Sequence, residues 1–181
     1  MPHSTLSSFA QQHLGECILN PTQIAQGVSR VATMLNAQFD DAVIISVVPG
    51  GVIFTADLVR QLDFDVAMDV ISCPHTPGER NNASVIDYRQ TVAIYDRDVI
   101  VVDDAIESGG TMKRLIEHLA QFEPRSLSIA TLFVKPGRVA IDVPQYYALE
   151  MVNDDLLVGY GLPWEHKLRN LPAIYQLKQG K

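Results

Sequence analysis

The stretch at residues 42–48, Ala-Val-Ile-Ile-Ser-Val-Val, is almost entirely apolar, largely β-branched, and shows no alternation of polar and apolar positions. A strand wetted on one face would need that alternation. This run therefore fits a strand covered on both faces, as in a parallel sheet. Residues 99–102 (Val-Ile-Val-Val) read the same way, and residues 64–71 and 126–134 read as further strands. Parallel neighbours need long crossovers, usually helical. Asn20-Pro21-Thr22 is a helix start, a capping Asn before a proline at the first helical position. Behind it Ile24, Val28, Val31 and Leu35 form one face of a helix that runs to about Phe39. Residues 52–62 and 110–122 suit two more helices, the second with Met112, Ile116 and Leu119 inward. Residues 84–95 are ambiguous, a pair of short strands being one reading. The alternation implies an α/β fold with a central parallel sheet flanked by helices. Ligands of such sheets sit outside the carboxyl ends of the strands.

Composition narrows the classes. With 47% hydrophobic and 19% charged residues in 181, the chain can bury a core and reads as one domain. Fourteen Lys and Arg stand against 21 Asp and Glu, a net charge of −7, so nonspecific nucleic-acid binding is not expected. Cys17 and Cys73 make no disulfide framework and lack metal-ligand spacing. The amino-terminal residues lack the pattern of a secretory signal, and no apolar run approaches the ~18 residues of a membrane span. A cytoplasmic setting without membrane attachment is expected.

The strand-end loops are residues 49–51, 73–82, 103–111 and 135–138. The third is the most informative. The apolar strand delivers Asp103-Asp104, then Ala105-Ile106-Glu107, then Ser108-Gly109-Gly110-Thr111 at a helix start. Backbone N–H groups at a glycine-rich turn into a helix attract an anion, and the helix dipole adds to this. Ser108 and Thr111 can add hydroxyl donors. The acids can hold sugar hydroxyls or the waters of Mg²⁺. The chain contains no Gly-x-x-x-x-Gly-Lys-Ser/Thr and no Gly-x-Gly-x-x-Gly, so neither a P-loop nor a dinucleotide fingerprint is present. A sugar-phosphate site is the functional reading. Solvated acids at a strand–turn–helix corner are the plain alternative.

Residues 99–112 resemble the phosphoribosyl-diphosphate (PRPP) signature of the type I phosphoribosyltransferases. More narrowly, the chain resembles the hypoxanthine-guanine phosphoribosyltransferases from about Leu19 to Ile174. Phe54-Thr55-Ala56-Asp57-Leu58, Leu132-Phe133-Val134-Lys135 and Val158-Gly159-Tyr160-Gly161-Leu162 with Arg169-Asn170-Leu171 add to the likeness. The resemblance implies a sheet core at about 40–140 and a small hood from the chain ends, about 1–20 and 143–181. It implies a purine base and PRPP as substrates, Mg²⁺ as cofactor, and a homodimer or homotetramer.

By the same resemblance Asp103 and Asp104 would meet the ribose hydroxyls, directly or through Mg²⁺, and Ser108, Gly109, Gly110 and Thr111 would cradle the 5-phosphate. Glu107, where the family usually has Asp, would face purine N7 as a proton-transfer group. Lys135 would donate to the exocyclic oxygen of a 6-oxopurine. Tyr146 would stack on the base, and the backbone of Tyr147 would contact it. Val48, Pro49, Gly50 and Arg169 would face pyrophosphate. The family's metal-associated acid would be Asp154, with Asn153 or Asp155 as alternatives. The sequence departs from the family at Pro49, which replaces a usual Lys or Arg, and a cis Val48–Pro49 bond is expected there. It departs again in the loop expected to be mobile, where Thr76-Pro77 stands for Ser-Tyr. A PRPP-sensing regulator on the same fold is the rival reading, and a xanthine-preferring enzyme is a variant of the first.

Overall fold

The computed structural model describes residues 6–74 and 84–178. Helix α1 (Ser8–His13) leads into β1 (Leu14–Leu19) and α2 (Pro21–Asn36). Next come β2 (Asp41–Val48), α3 (Val52–Val59) and β3 (Asp65–Ser72). After them stand β4 (Asp98–Ile106), α4 (Gly110–Ala120), β5 (Ser126–Val134) and β6 (Gln145–Glu150). Strands β7 (Leu157–Val158) and β8 (Ile174–Leu177) close the chain. The start of α2 is fixed as its sequence demands. The Asn20 side chain accepts from the Gln23 N–H and the Gln23 side chain accepts from the Asn20 N–H, a reciprocal cap. Such caps contribute about 1 kcal/mol.

Five strands form a parallel sheet in the order β3-β2-β4-β5-β6. Cores lie on both faces. One gathers α2 and α3 residues around Ile44, Phe54, Ile100, Leu132 and Phe133. The other sets Met112, Leu115, Ile116 and Leu119 of α4 against Val43, Ile45, Val101 and Ile129. Phe54 and Phe133 are wholly buried, each side chain contributing about 1.5–3 kcal/mol. Burial on both faces is why these strands read as continuous apolar runs.

A smaller antiparallel sheet, β1-β8-β7, joins the two ends of the described chain. Strand β6 pairs with β5 in the large sheet, so the boundary expected near residue 143 moves beyond Glu150. Residues 84–95 form no paired strands. Their one bridge ties Asp87 to Ser72. What anchors this segment is Asp69, whose carboxylate accepts from Thr91 N–H, Thr91 Oγ1, Val92 N–H and Val70 N–H. Burial would raise the Asp69 pKa, but these donors hold it below the usual carboxylate value.

Candidate active site

The succession of strands reverses direction between β2 and β4, the switch point at which open α/β sheets bind ligands. Strand β2 pairs with β4 from Val43↔Val99 to Ser46↔Val102, while β4 continues beside β5 to Ile106. The loop expected to start at Asp103 is thus still strand. Where β2 and β4 part, a cleft of about 990 Å³, counting the solvent at its mouth, opens outside the strand ends. The Val48–Pro49 bond is cis. Val48, Pro49 and Gly50 line the cleft, as do Asp103, Asp104, Glu107, Ser108, Gly109, Thr111 and Arg169.

Asp103 and Asp104 share its floor. The Asp104 N–H donates to Asp103 Oδ1 at 2.9 Å. Burial, and then the neighbouring Asp104 charge, push Asp103 well above the usual carboxylate range, and burial pushes Asp104 up to about 6. Arg169 offsets part of this charge, and burial lowers its own pKa. Two adjacent carboxylates, Asp104 buried and Asp103 half-buried, with so little compensation suit a hard cation or hydroxyl donors. Among the described residues no group of three or more His, Cys, Asp or Glu is arranged for a metal. A cation held here would draw its remaining ligands from water and substrate phosphate, as Mg²⁺ does.

The turn expected to hold an anion includes Gly109, which adopts φ +82 at the cap of α4. A side chain there would be strained, and its Cβ would meet Val139 Cγ2 at 3.1 Å. The first turn of α4 carries no acid of its own, and a helix start without one favours an anion.

Lys135 is 1% exposed. Its Nζ donates to the Asp155 carbonyl at 2.8 Å and to Glu107 Oε2 at 3.3 Å, with Asp154 Oδ1 at 3.7 Å. The two strand-end groups expected to serve a base are therefore in contact. Asp154 lies on Lys135, largely exposed, and not with the Asp103–Asp104 pair.

Tyr146 and Tyr147 are not among the residues lining the cleft. Tyr146 packs edge-on to Phe39 under α2, at 6.2 Å between ring centroids. Tyr147 sits on the opposite core, with the Arg138 guanidinium 5.6 Å from its ring centre. Strand β6 is an edge of the large sheet, and its two tyrosines stand half-buried on opposite faces of it, outside the cleft lining. The apolar wall comes instead from Leu156, Leu157, Leu162, Trp164 and Leu177. The sequence held a weak signal for this wall, the Val158–Leu162 likeness, but nothing in the pattern showed which way these residues face. Thr76-Pro77 lies outside the described residues.

Residues 16–162 match the phosphoribosyl transferase domain family. The chain is 34% identical to a hypoxanthine-guanine-xanthine phosphoribosyltransferase of Tritrichomonas foetus over 170 residues, 92% of this chain and 93% of that one. It is 28% identical to the hypoxanthine-guanine phosphoribosyltransferase of Staphylococcus epidermidis, over 91% and 94% of the two chains. A solved hypoxanthine-guanine phosphoribosyltransferase of Bacillus anthracis superposes with a TM-score of 0.81 at 30% identity, covering 91% of this chain and 99% of that one. A glycine-rich anion turn beside paired acids at the sheet's switch point, and this likeness along nearly the whole chain, lead to one conclusion: the chain belongs to the hypoxanthine-guanine branch of the type I phosphoribosyltransferase family.

Proposed function

We propose that this chain is a purine salvage enzyme that transfers the ribose 5-phosphate group of PRPP to hypoxanthine or guanine, releasing pyrophosphate, with Mg²⁺. The observation that carries the reading is the contact of Glu107 with Lys135 beside the Asp103–Asp104 pair and the Ser108–Thr111 turn. In the reaction the bond from ribose C1 to pyrophosphate breaks and a bond from C1 to a purine nitrogen forms. Charge develops on the sugar as the leaving group departs, so enzymatic help is mainly positioning and electrostatics.

Ser108, Gly109, Gly110 and Thr111 hold the 5-phosphate at the start of α4. Asp103 and Asp104 fix the ribose hydroxyls and would hold Mg²⁺, which would supply charge neutralisation for the pyrophosphate. Val48, Pro49, Gly50 and Arg169 face that pyrophosphate. Glu107 takes the proton from purine N7 as the base attacks. Lys135 donates to the 6-oxo group and so rejects adenine, whose amino group is itself a donor. Leu156, Leu157 and Trp164 supply the apolar surface for the ring. The enzyme works in the cytoplasm as a homodimer or homotetramer, which sedimentation of the pure protein tests. No helix among the described residues is long and apolar enough to cross a membrane.

Turnover with PRPP, Mg²⁺ and each of hypoxanthine, guanine, xanthine and adenine tests the reading. Nucleotide forms with 6-oxopurines and not with adenine, and Lys135→Ala loses that discrimination. Xanthine outpacing the other two would identify a xanthine-preferring enzyme. Silence with all four bases while PRPP still binds would replace the enzyme with a PRPP-sensing regulator.

A further inference from the structure

Residues 159–161 all have positive φ: Gly159 at +98, Tyr160 at +50 and Gly161 at +104. Two glycines adopt such angles freely. A tyrosine between them needs an external hold. That hold is visible. The Tyr160 side chain is 5% exposed, and its hydroxyl donates to Asp57 Oδ2 at 2.7 Å across 103 residues of chain. The Tyr160 N–H also donates to the Leu171 carbonyl at 2.9 Å.

The turn so held lies against the site. A Cβ on Gly161 would fall 2.3 Å from the Gly50 carbonyl oxygen and 2.9 Å from Asp104 Oδ2. Gly161 is also bonded twice to Arg169. Its N–H donates to the Arg169 carbonyl at 2.9 Å, and Arg169 Nη1 donates to its carbonyl at 2.6 Å. At its other end the latch reaches α3, the helix that begins two residues beyond Gly50. The phenol–carboxylate contact therefore ties together the two segments that face pyrophosphate, the Pro49-Gly50 turn and the Gly161–Arg169 pair.

Resting on the function proposed above, we infer that Tyr160 and Asp57 are positioning residues for PRPP. Their hydrogen bond sets Gly161 and Arg169 against Gly50 and the Asp103–Asp104 pair. Neither side chain is among those lining the cleft, so the effect reaches PRPP through the backbone turn.

The test compares Tyr160→Phe, Asp57→Ala and Asp57→Asn in steady-state turnover, with PRPP binding followed by calorimetry. Loss of a hydrogen bond to a charged group is expected to raise the KM and Kd for PRPP about tenfold in Tyr160→Phe. The KM for the base should stay within about twofold, because no base contact changes. Asp57→Ala should match Tyr160→Phe, and the double variant should be no worse than either. Asp57→Asn keeps an accepting oxygen and should restore PRPP binding. Unchanged PRPP parameters in Tyr160→Phe would overturn the inference. So would equal rises in both KM values with a lower melting temperature, the mark of a merely structural contact. Wild-type protein that neither binds PRPP nor turns over would sink the proposed function itself. Wild-type turnover with an indifferent Tyr160→Phe would sink the latch alone.

Discussion

The two walls of the cleft are built by different rules. The wall at the end of β4 is contiguous in sequence. Nine residues, 103–111, bring Asp103, Asp104, Glu107 and the Ser108–Thr111 turn to one place. It must be so, because an anion nest needs consecutive backbone N–H groups at a helix start and cannot be assembled from distant parts. The hood wall draws Leu156, Leu157, Leu162, Trp164, Arg169 and Leu177 from several segments of the chain's last part. It supplies surface, closure and one cation. The first wall is expected to govern chemistry and the second to govern how well substrates are seated.

The sharpest way to break this contrast is Glu107→Gln. It removes a proton acceptor without changing shape, and kcat should fall about 100-fold or more with PRPP affinity nearly unchanged. A kcat within about threefold of wild type would remove Glu107 from the chemistry. Gly161→Ala attacks the hood where it meets Gly50 and Asp104. Strain at φ +104 and the clash with the Gly50 carbonyl should weaken PRPP binding about tenfold or more, read as KM for PRPP. A near-normal KM would mean that the hood can retreat without consequence. Leu156→Ala trims apolar surface only, and about fivefold on the KM for the base is expected, with kcat little changed. A kcat effect as large as that of Glu107→Gln would erase the distinction between the walls.

The smallest effect lies outside both. Asp69 has a folded pKa below its unfolded value, so its stabilisation is complete above the unfolded value of about 4 and is lost as pH falls through the folded one. Asp69→Asn should therefore lower the melting temperature at pH 7 by a few degrees, a gap that closes towards pH 2. Thermal melts at the two pH values with activity in parallel check this. Turnover should survive, because Asp69 holds residues 84–92 and touches neither wall.

Much of the body was legible before any coordinates. Apolar runs without alternation announced buried parallel strands, and Asn20-Pro21 announced α2. The cis Val48–Pro49 bond was also anticipated. Other placements were not legible in the sequence. Tyr146 and Tyr147 alternate like any strand residues, and their pattern does not say which sheet takes the strand. Once β6 joins β5, Tyr146 meets Phe39 and Tyr147 meets Arg138. Asp154 was chosen by spacing along an irregular stretch, where a shift of one residue changes the partner. There the buried Lys135 ammonium takes the Asp155 carbonyl and draws Asp154 towards itself.

The sequence by itself determined what is local: strand and helix periods, the caps, and an anion turn whose donors must be consecutive. Tertiary structure alone decided what is distant. It set which sheet owns β6, which apolar residues line the cleft, and the Tyr160–Asp57 contact across 103 residues. The physical reason is that hydrogen-bond geometry and side-chain period repeat over a few residues. The facing of a hood against a sheet depends on how two separately buried cores meet, and no short pattern encodes that.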